Sequence, residues 1–185
     1  MQIRDERPED ADAIRAVTEV AFADMPYASG TEAEIVERLR ADDALALSLV
    51  AEDDGQIVGH IAFSPVTVDG ADAGWFGVGP VSVRPDRQKA GIGSALMRQG
   101  LAMLKARGAQ GCALVGDPAY YARFGFVPGG GLTMTDLPPE YRKYFQTLAL
   151  AEPSAAGNVA FHPAFQPDIE QIPDSGNRSA DPSRD

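Results

Sequence analysis

The chain has 185 residues, 44% of them hydrophobic, a formal net charge of -11 and one cysteine, Cys112. That length and apolar content suit one core in one domain, expected over residues 1–166. A lone thiol excludes an internal disulfide and a cysteine metal cage, two histidines argue against a zinc centre, and the acidic balance argues against nucleic acid as partner.

Met1 to Arg4 reads as a short strand. No basic segment followed by an apolar run opens the chain, and no apolar stretch is long enough to span a bilayer, so a cytoplasmic protein without membrane contact is expected. Pro8, Glu9 and Asp10 open a helix to about Ala23, with Ile14, Val17 and Ala21 as its inward stripe. Asp24 to Gly30 is loop. Thr31-Glu32-Ala33-Glu34 then has the pattern of a capping box for a short amphipathic helix carrying Ile35, Val36 and Leu39.

Leu45 to Ala51 and Ile57 to Phe63 read as a hairpin around Asp53-Asp54-Gly55. A second turn at Asp69-Gly70 leads to Trp75–Val83, a buried strand that stops at Arg84-Pro85 because proline cannot donate to a ladder. A glycine loop, Gln88-Lys89-Ala90-Gly91-Ile92-Gly93, joins this strand to a helix from Ile92 to about Arg107. Ile92, Leu96 and Met103 form the inward face of that helix, with Ala95, Ala102 and Leu104 beside them, and Gly108 is the cap.

Glycines let a ligand approach the backbone closely, and the first turn of a helix leaves amide donors and partial positive charge open, which suits phosphate. Between Arg84 and Arg107 stand six basic residues against one acid, Asp86, and this local excess predicts an anionic ligand. Leu96 occupies the position where a dinucleotide-binding loop has its third glycine, and no Gly-Lys-Ser/Thr ends the loop as in a nucleoside triphosphate site. No Gly-x-Ser-x-Gly surrounds Ser94, so a serine hydrolase elbow is unsupported.

Cys112 to Gly116 reads as a buried strand parallel to the one ending at Val83, with the helix as crossover and a crevice at the carboxyl ends. Cys112 is read as packing. Asp117, Pro118 and Gly125 cap, start and end a short helix beside that crevice. Gly129-Gly130-Gly131 reads as a flexible joint, a final strand includes Leu148 to Leu150, and Pro167 to Asp185 is an acidic, proline-containing tail expected to be mobile. His60, in a strand, and His162 receive no role.

The loop resembles the signature of the GNAT family of N-acetyltransferases, which is Arg or Gln, two residues, Gly, one residue, then Gly or Ala. Tyr121-Ala122-Arg123-Phe124-Gly125-Phe126 is similar to that family's second signature, and the Gly116-Asp117-Pro118-x-Tyr120-Tyr121 pattern resembles a bacterial branch of it. The resemblance covers about residues 1 to 166. It implies an α/β fold of the α+β kind, a single domain whose mixed central sheet is splayed at an acyl-CoA groove. It further implies acetyl-CoA as co-substrate without a metal, with Val81 and Val83 pairing to the pantetheine arm. Gln88, Lys89, Ala90, Gly91, Ile92, Gly93 and Ser94 would hold the pyrophosphate.

Tyr121 would be the acid for the departing thiolate, a role open to a phenol that stays protonated at neutral pH, while Tyr120 is read as packing. The acceptor would be a small-molecule amine or a protein or peptide amine, facing Asp24 to Gly30, the second helix and the segment after Gly129. The general base has no assignment. Some relatives carry a glutamate on the strand before the loop, but Trp75–Val83 has no carboxylate, leaving a water chain, backbone carbonyls, Glu32 or Glu34. Two alternatives stand beside this reading, a catalytically inactive acyl-CoA-binding sensor and an unrelated phosphate-binding domain. A homodimer is compatible with each.

Overall fold

Two Asp-Gly pairs set the course of the first half of the chain. In the computed structural model, which describes residues 1–26, 28–152 and 155–166, Asp54-Gly55 and Asp69-Gly70 have positive φ at both residues. That is the two-residue turn whose twist matches the strands it joins. The turns link β2 (Leu47–Asp53), β3 (Gln56–Val68) and β4 (Ala71–Val83) into an antiparallel meander, and β1 (Gln2–Asp5) pairs with β2. Strand β2 starts at Leu47 rather than Leu45, and β3 runs on past Phe63 to Val68. Burial of β3 on both faces removes the alternation that would mark its length in the sequence.

After β4, α3 (Ile92–Ala106) crosses over to β5 (Gly111–Val115), which pairs in parallel with β4. The four-residue α4 (Pro118–Tyr121) follows. Strand β6 (Val127–Pro128) lies at the end of the sheet, and β8 (Phe145–Ala149) inserts between it and β5. Off this path, β7 (Leu132–Thr133) pairs with β9 (Gly157–Ala160), which also reaches the far end of β3. The three glycines at 129–131 form a tied turn rather than a loose joint. Gly129 donates to the Phe145 carbonyl at 3.3 Å, Gly130 to Pro128 at 2.7 Å, and Leu132 back to Gly129 at 2.8 Å. The tail expected from Pro167 to Asp185, and Tyr27 of the Asp24–Gly30 loop, lie outside the described residues.

Helices α1 (Ala11–Phe22) and α2 (Glu32–Ala41) cover one face of the sheet, with Ile14, Val36 and Val50 packed together. The inward stripe Ile14, Val17 and Ala21 is buried as its spacing predicts. The capping box is not. The Thr31 hydroxyl is bonded to Ser29 Oγ at 2.7 Å and caps nothing, while Glu32 accepts from the Ser29 amide at 2.7 Å and Glu34 meets Arg38 at 3.4 Å.

Helix α3 covers the other face through Ile92, Leu96, Met97, Gly100 and Leu104, set against Leu47, Leu49, Ile61 and Phe63. Each fully buried large side chain here contributes about 1.5–3 kcal/mol. Met103 is only partly buried and Ala102 is exposed, so the inward stripe is rotated toward Met97 and Gly100. The reason is Gly100, where any β-carbon would collide with the Phe63 ring.

The β4–β5 ladder holds three pairs, Trp75–Gly111, Phe76–Cys112 and Gly77–Ala113, and stops. On the opposite edge Phe63 faces Val78 and Ile61 faces Val81, so Gly79 and Pro80 together oppose Ala62 alone. A bulge of this kind bends its strand. From Val78 onward the edge of β4 toward β5 is unpaired, and the sheet opens there as a wedge.

Candidate functional site

The free edge of β4 ends at Val83, and the chain passes through a 3₁₀ turn, Pro85–Arg87, to the loop that starts α3. Gln88 folds back so that Nε2 donates to the Val83 carbonyl at 3.2 Å, tying loop to strand. Gly91, the N-cap, has φ 83°, and Lys89 shares the left-handed region at φ 63°. Left-handed residues set among right-handed ones turn successive amides to one side. The six amides from Lys89 to Ser94 donate to no group among the described residues. The start of α3 therefore keeps its donors and its partial positive charge open.

The fold disperses the cations that the sequence groups near the loop. Arg84 is paired with Asp86 at 2.6 Å and Arg87 with Asp53 at 2.8 Å. Lys105 and Arg107 lie at the far end of α3, where Arg107 donates to the Ala46 carbonyl at 3.1 Å. Lys89 and Arg98 remain near the loop.

Across the wedge, Asp117 caps α4 by accepting from the Ala119 amide at 3.0 Å, Pro118 occupies its first turn, and Gly125 ends the following turn at φ 93°. The Tyr121 ring lies on Gly116 at the end of β5, where any β-carbon would strike it. It stands edge-on to Tyr120 at 4.9 Å and to Phe126 at 6.0 Å. Burial, aided by Tyr120 and Asp117, pushes its phenol up to about 12. Tyr120 packs against the loop, its hydroxyl 3.2 Å from where a β-carbon of Gly93 would stand. Successive helical residues point about 100° apart, so two adjacent tyrosines cannot share one environment, and that signal was present in the sequence.

The histidines, the cysteine and the two candidate glutamates lie in other surroundings. His60, fully buried on the α1–α2 face, lies 2.8 Å from Ser48 Oγ; Ser48 donates to Glu6, which also accepts from Arg40 at 2.9 Å. Burial lowers the His60 imidazole against the opposing pull of Glu6. Burial also works to raise the Glu6 carboxyl, but His60, Arg40 and Ser48 outweigh it and hold it at about 2. Glu32 and Glu34 are occupied by Ser29 and Arg38, so neither stands as a free base. Cys112 is fully buried, its thiol pushed by burial up to about 12, and His162 accepts from the Ala164 amide. Among the described residues no helix is long and apolar enough to cross a membrane, and no three His, Cys, Asp or Glu side chains are grouped to hold a metal.

An open row of helix-start amides, a strand edge left unpaired beyond Gly77 and a partly buried phenol at the end of β5 flank the opening between β4 and β5. The acetyltransferase (GNAT) domain matches residues 2–129. The chain belongs to the GNAT family. It is 37% identical to the uncharacterized N-acetyltransferase YhbS of Escherichia coli K12 over 169 residues, 89% of this chain and 98% of that protein. A GNAT acetyltransferase from Brucella melitensis in complex with acetyl-CoA is 53% identical, covers 89% of this chain and 97% of its own, and superposes with a TM-score of 0.79. Escherichia coli YhbS in complex with CoA superposes with a TM-score of 0.81 at 36% identity, over 89% of this chain and 91% of its own. This GNAT protein is an acetyl-CoA-dependent N-acetyltransferase with the family's mixed, unclosed sheet.

Proposed function

We propose that acetyl-CoA lies in the wedge with its pyrophosphate on the amides of Lys89 to Ser94 and its pantetheine amides along β4 at Val81 and Val83, and that the acetyl group passes directly to a primary amine in a ternary complex. The observation that carries this reading is the coincidence of unfilled donors at the loop with an unpaired strand edge leading away from it. Phosphate suits the first and a peptide-like arm suits the second. Gln88 fixes the angle between them through Val83.

The amine nitrogen attacks the thioester carbonyl, and the C–S bond breaks as the amide forms. Holding both reactants in one groove supplies much of the acceleration. Tyr121 faces the leaving sulfur as a donor. A phenol held at about 12 keeps its proton throughout the neutral range, and handing it fully to a thiolate whose conjugate acid has a pKa of about 8.5 would run uphill. Its contribution is therefore a hydrogen bond that strengthens as negative charge grows on sulfur. The ammonium form of the acceptor loses one proton to water before attack, since β4 carries no carboxylate from Trp75 to Val83 and Glu32 and Glu34 are engaged; the second leaves the nitrogen as the amide forms and passes through solvent to the departing thiolate.

A thiol-release assay over primary amines (polyamines, aminoglycosides and lysine peptides) tests this reading. The expected result is CoA release that requires both acetyl-CoA and an amine, with matching acetylated product by mass. Release at one rate with or without amine would contradict it.

A further inference from the structure

Beside the loop, two arginines from different elements rest on neighbouring aromatic rings. The Arg98 guanidinium of α3 stacks over Phe124 at 5.2 Å, the Arg123 guanidinium stacks over Tyr120 at 4.6 Å, and the two rings stand 5.6 Å apart. Arg123 is further fixed by Nε, which donates to the Tyr120 carbonyl at 2.9 Å. Neither guanidinium has a carboxylate partner among the described residues, although the net charge is -11 and the nearby Arg84 and Arg87 both have one. Stacking covers the flat faces of a guanidinium and leaves its N–H edge to bind an anion in two-pronged fashion.

Arg98 follows Ser94 by one helical turn, and helical side chains lean toward the N-terminus, so its guanidinium is directed back toward the loop. Tyr120 sets the other half of the platform at Gly93 through its hydroxyl. The platform thus adjoins the open amides without covering them. Acyl-CoA carries two separate anionic groups, the pyrophosphate and a phosphomonoester on the ribose 3′ oxygen. The loop amides account for the first alone.

We propose that Arg98 and Arg123, held on Phe124 and Tyr120, bind the ribose 3′-phosphate and make the enzyme discriminate CoA from 3′-dephospho-CoA. This rests on the acyl-CoA reading of the wedge. Charge-assisted bonds to a monoester predict a preference of about tenfold at low salt, shrinking as salt screens the exposed pair.

Calorimetric titration with CoA and 3′-dephospho-CoA tests this on the full chain, on Arg98→Gln, on Arg123→Gln and on the double variant, each checked for an unchanged unfolding temperature. Each single variant should weaken CoA about threefold and leave 3′-dephospho-CoA within error, and the double variant should bind the two alike. Equal affinity of the unsubstituted protein for both ligands would overturn the proposal while leaving the wedge reading intact. A preference that survives in the double variant would overturn the assignment of these residues. Failure of both ligands to bind the unsubstituted protein would remove the wedge reading and this proposal with it.

Discussion

The loop side of the wedge and the opposite side of the sheet are built differently. The loop side is nearly continuous in the chain: β4, the loop, α3, β5 and α4 run from Ala71 to Tyr121, each positioning the next. The opposite side is gathered from distant pieces, α1, α2 and a C-terminal segment that returns to the sheet. Phe161 lies on Gly77, where a β-carbon would stand 2.6 Å from its ring, and it meets Phe165 edge-on at 5.3 Å. Ala164 packs beside Leu39 of α2. On the proposed reading the cofactor would be met by local backbone geometry, whereas the side that would choose the acceptor depends on contacts between remote segments.

This contrast can be broken at either side. The largest effect expected is from Tyr121→Phe, which should lower kcat about a hundredfold and leave the KM for acetyl-CoA within about threefold, since one donor to the forming thiolate is lost. Steady-state kinetics would show it, and an unchanged kcat would remove Tyr121 from the reaction. Gly77→Ala acts on the other side, forcing Phe161 off β4. A loss of about 2 kcal/mol in denaturant unfolding is expected, with acetyl-CoA affinity retained; a matching loss of affinity would mean that the two sides are not separable.

Acid should weaken the opposite side first. The His60 imidazole is lowered in the fold below its ordinary 6.5, so the unfolded chain takes up the proton more readily. The stability it contributes is full above that value and is lost as pH falls toward the folded pKa. Glu6, held at about 2 against an ordinary 4.5, adds a second loss below 4.5. Stability should decline between pH 7 and 5.5, and a flat profile would contradict the buried Glu6–Ser48–His60 arrangement. The smallest effect belongs to Gln88→Ala. Losing its bond to Val83 should weaken acetyl-CoA about threefold, worth about 0.6 kcal/mol, with kcat unchanged.

Much of the loop side was legible in the sequence because its signals are local: the glycine loop, the Asp117 cap with Pro118, and the proline after Arg84. The Asp-Gly hairpins were legible for the same reason. What escaped depends on partners far along the chain. The Gly79–Pro80 bulge of β4 exists only against Ala62, and β8 finds its place between β5 and β6 only once both are present. Thr31 had the right spacing for a cap but was taken by Ser29. Composition grouped six cations near the loop, yet Asp53 and Asp86 neutralise two, and Arg123 joins from another element.

The most direct test of the central claim is a calorimetric titration of acetyl-CoA into the protein and into Gly91→Asp, with circular dichroism to confirm that both are folded. Gly91 has open space around a β-carbon, but its φ of 83° strains any side chain placed there, so Gly91→Asn, which carries the same strain without the charge, is titrated beside Gly91→Asp and should bind more tightly. If the loop amides hold the pyrophosphate, the unsubstituted protein binds and Gly91→Asp binds at least about a hundredfold more weakly. Equal affinity in folded Gly91→Asp would contradict the account.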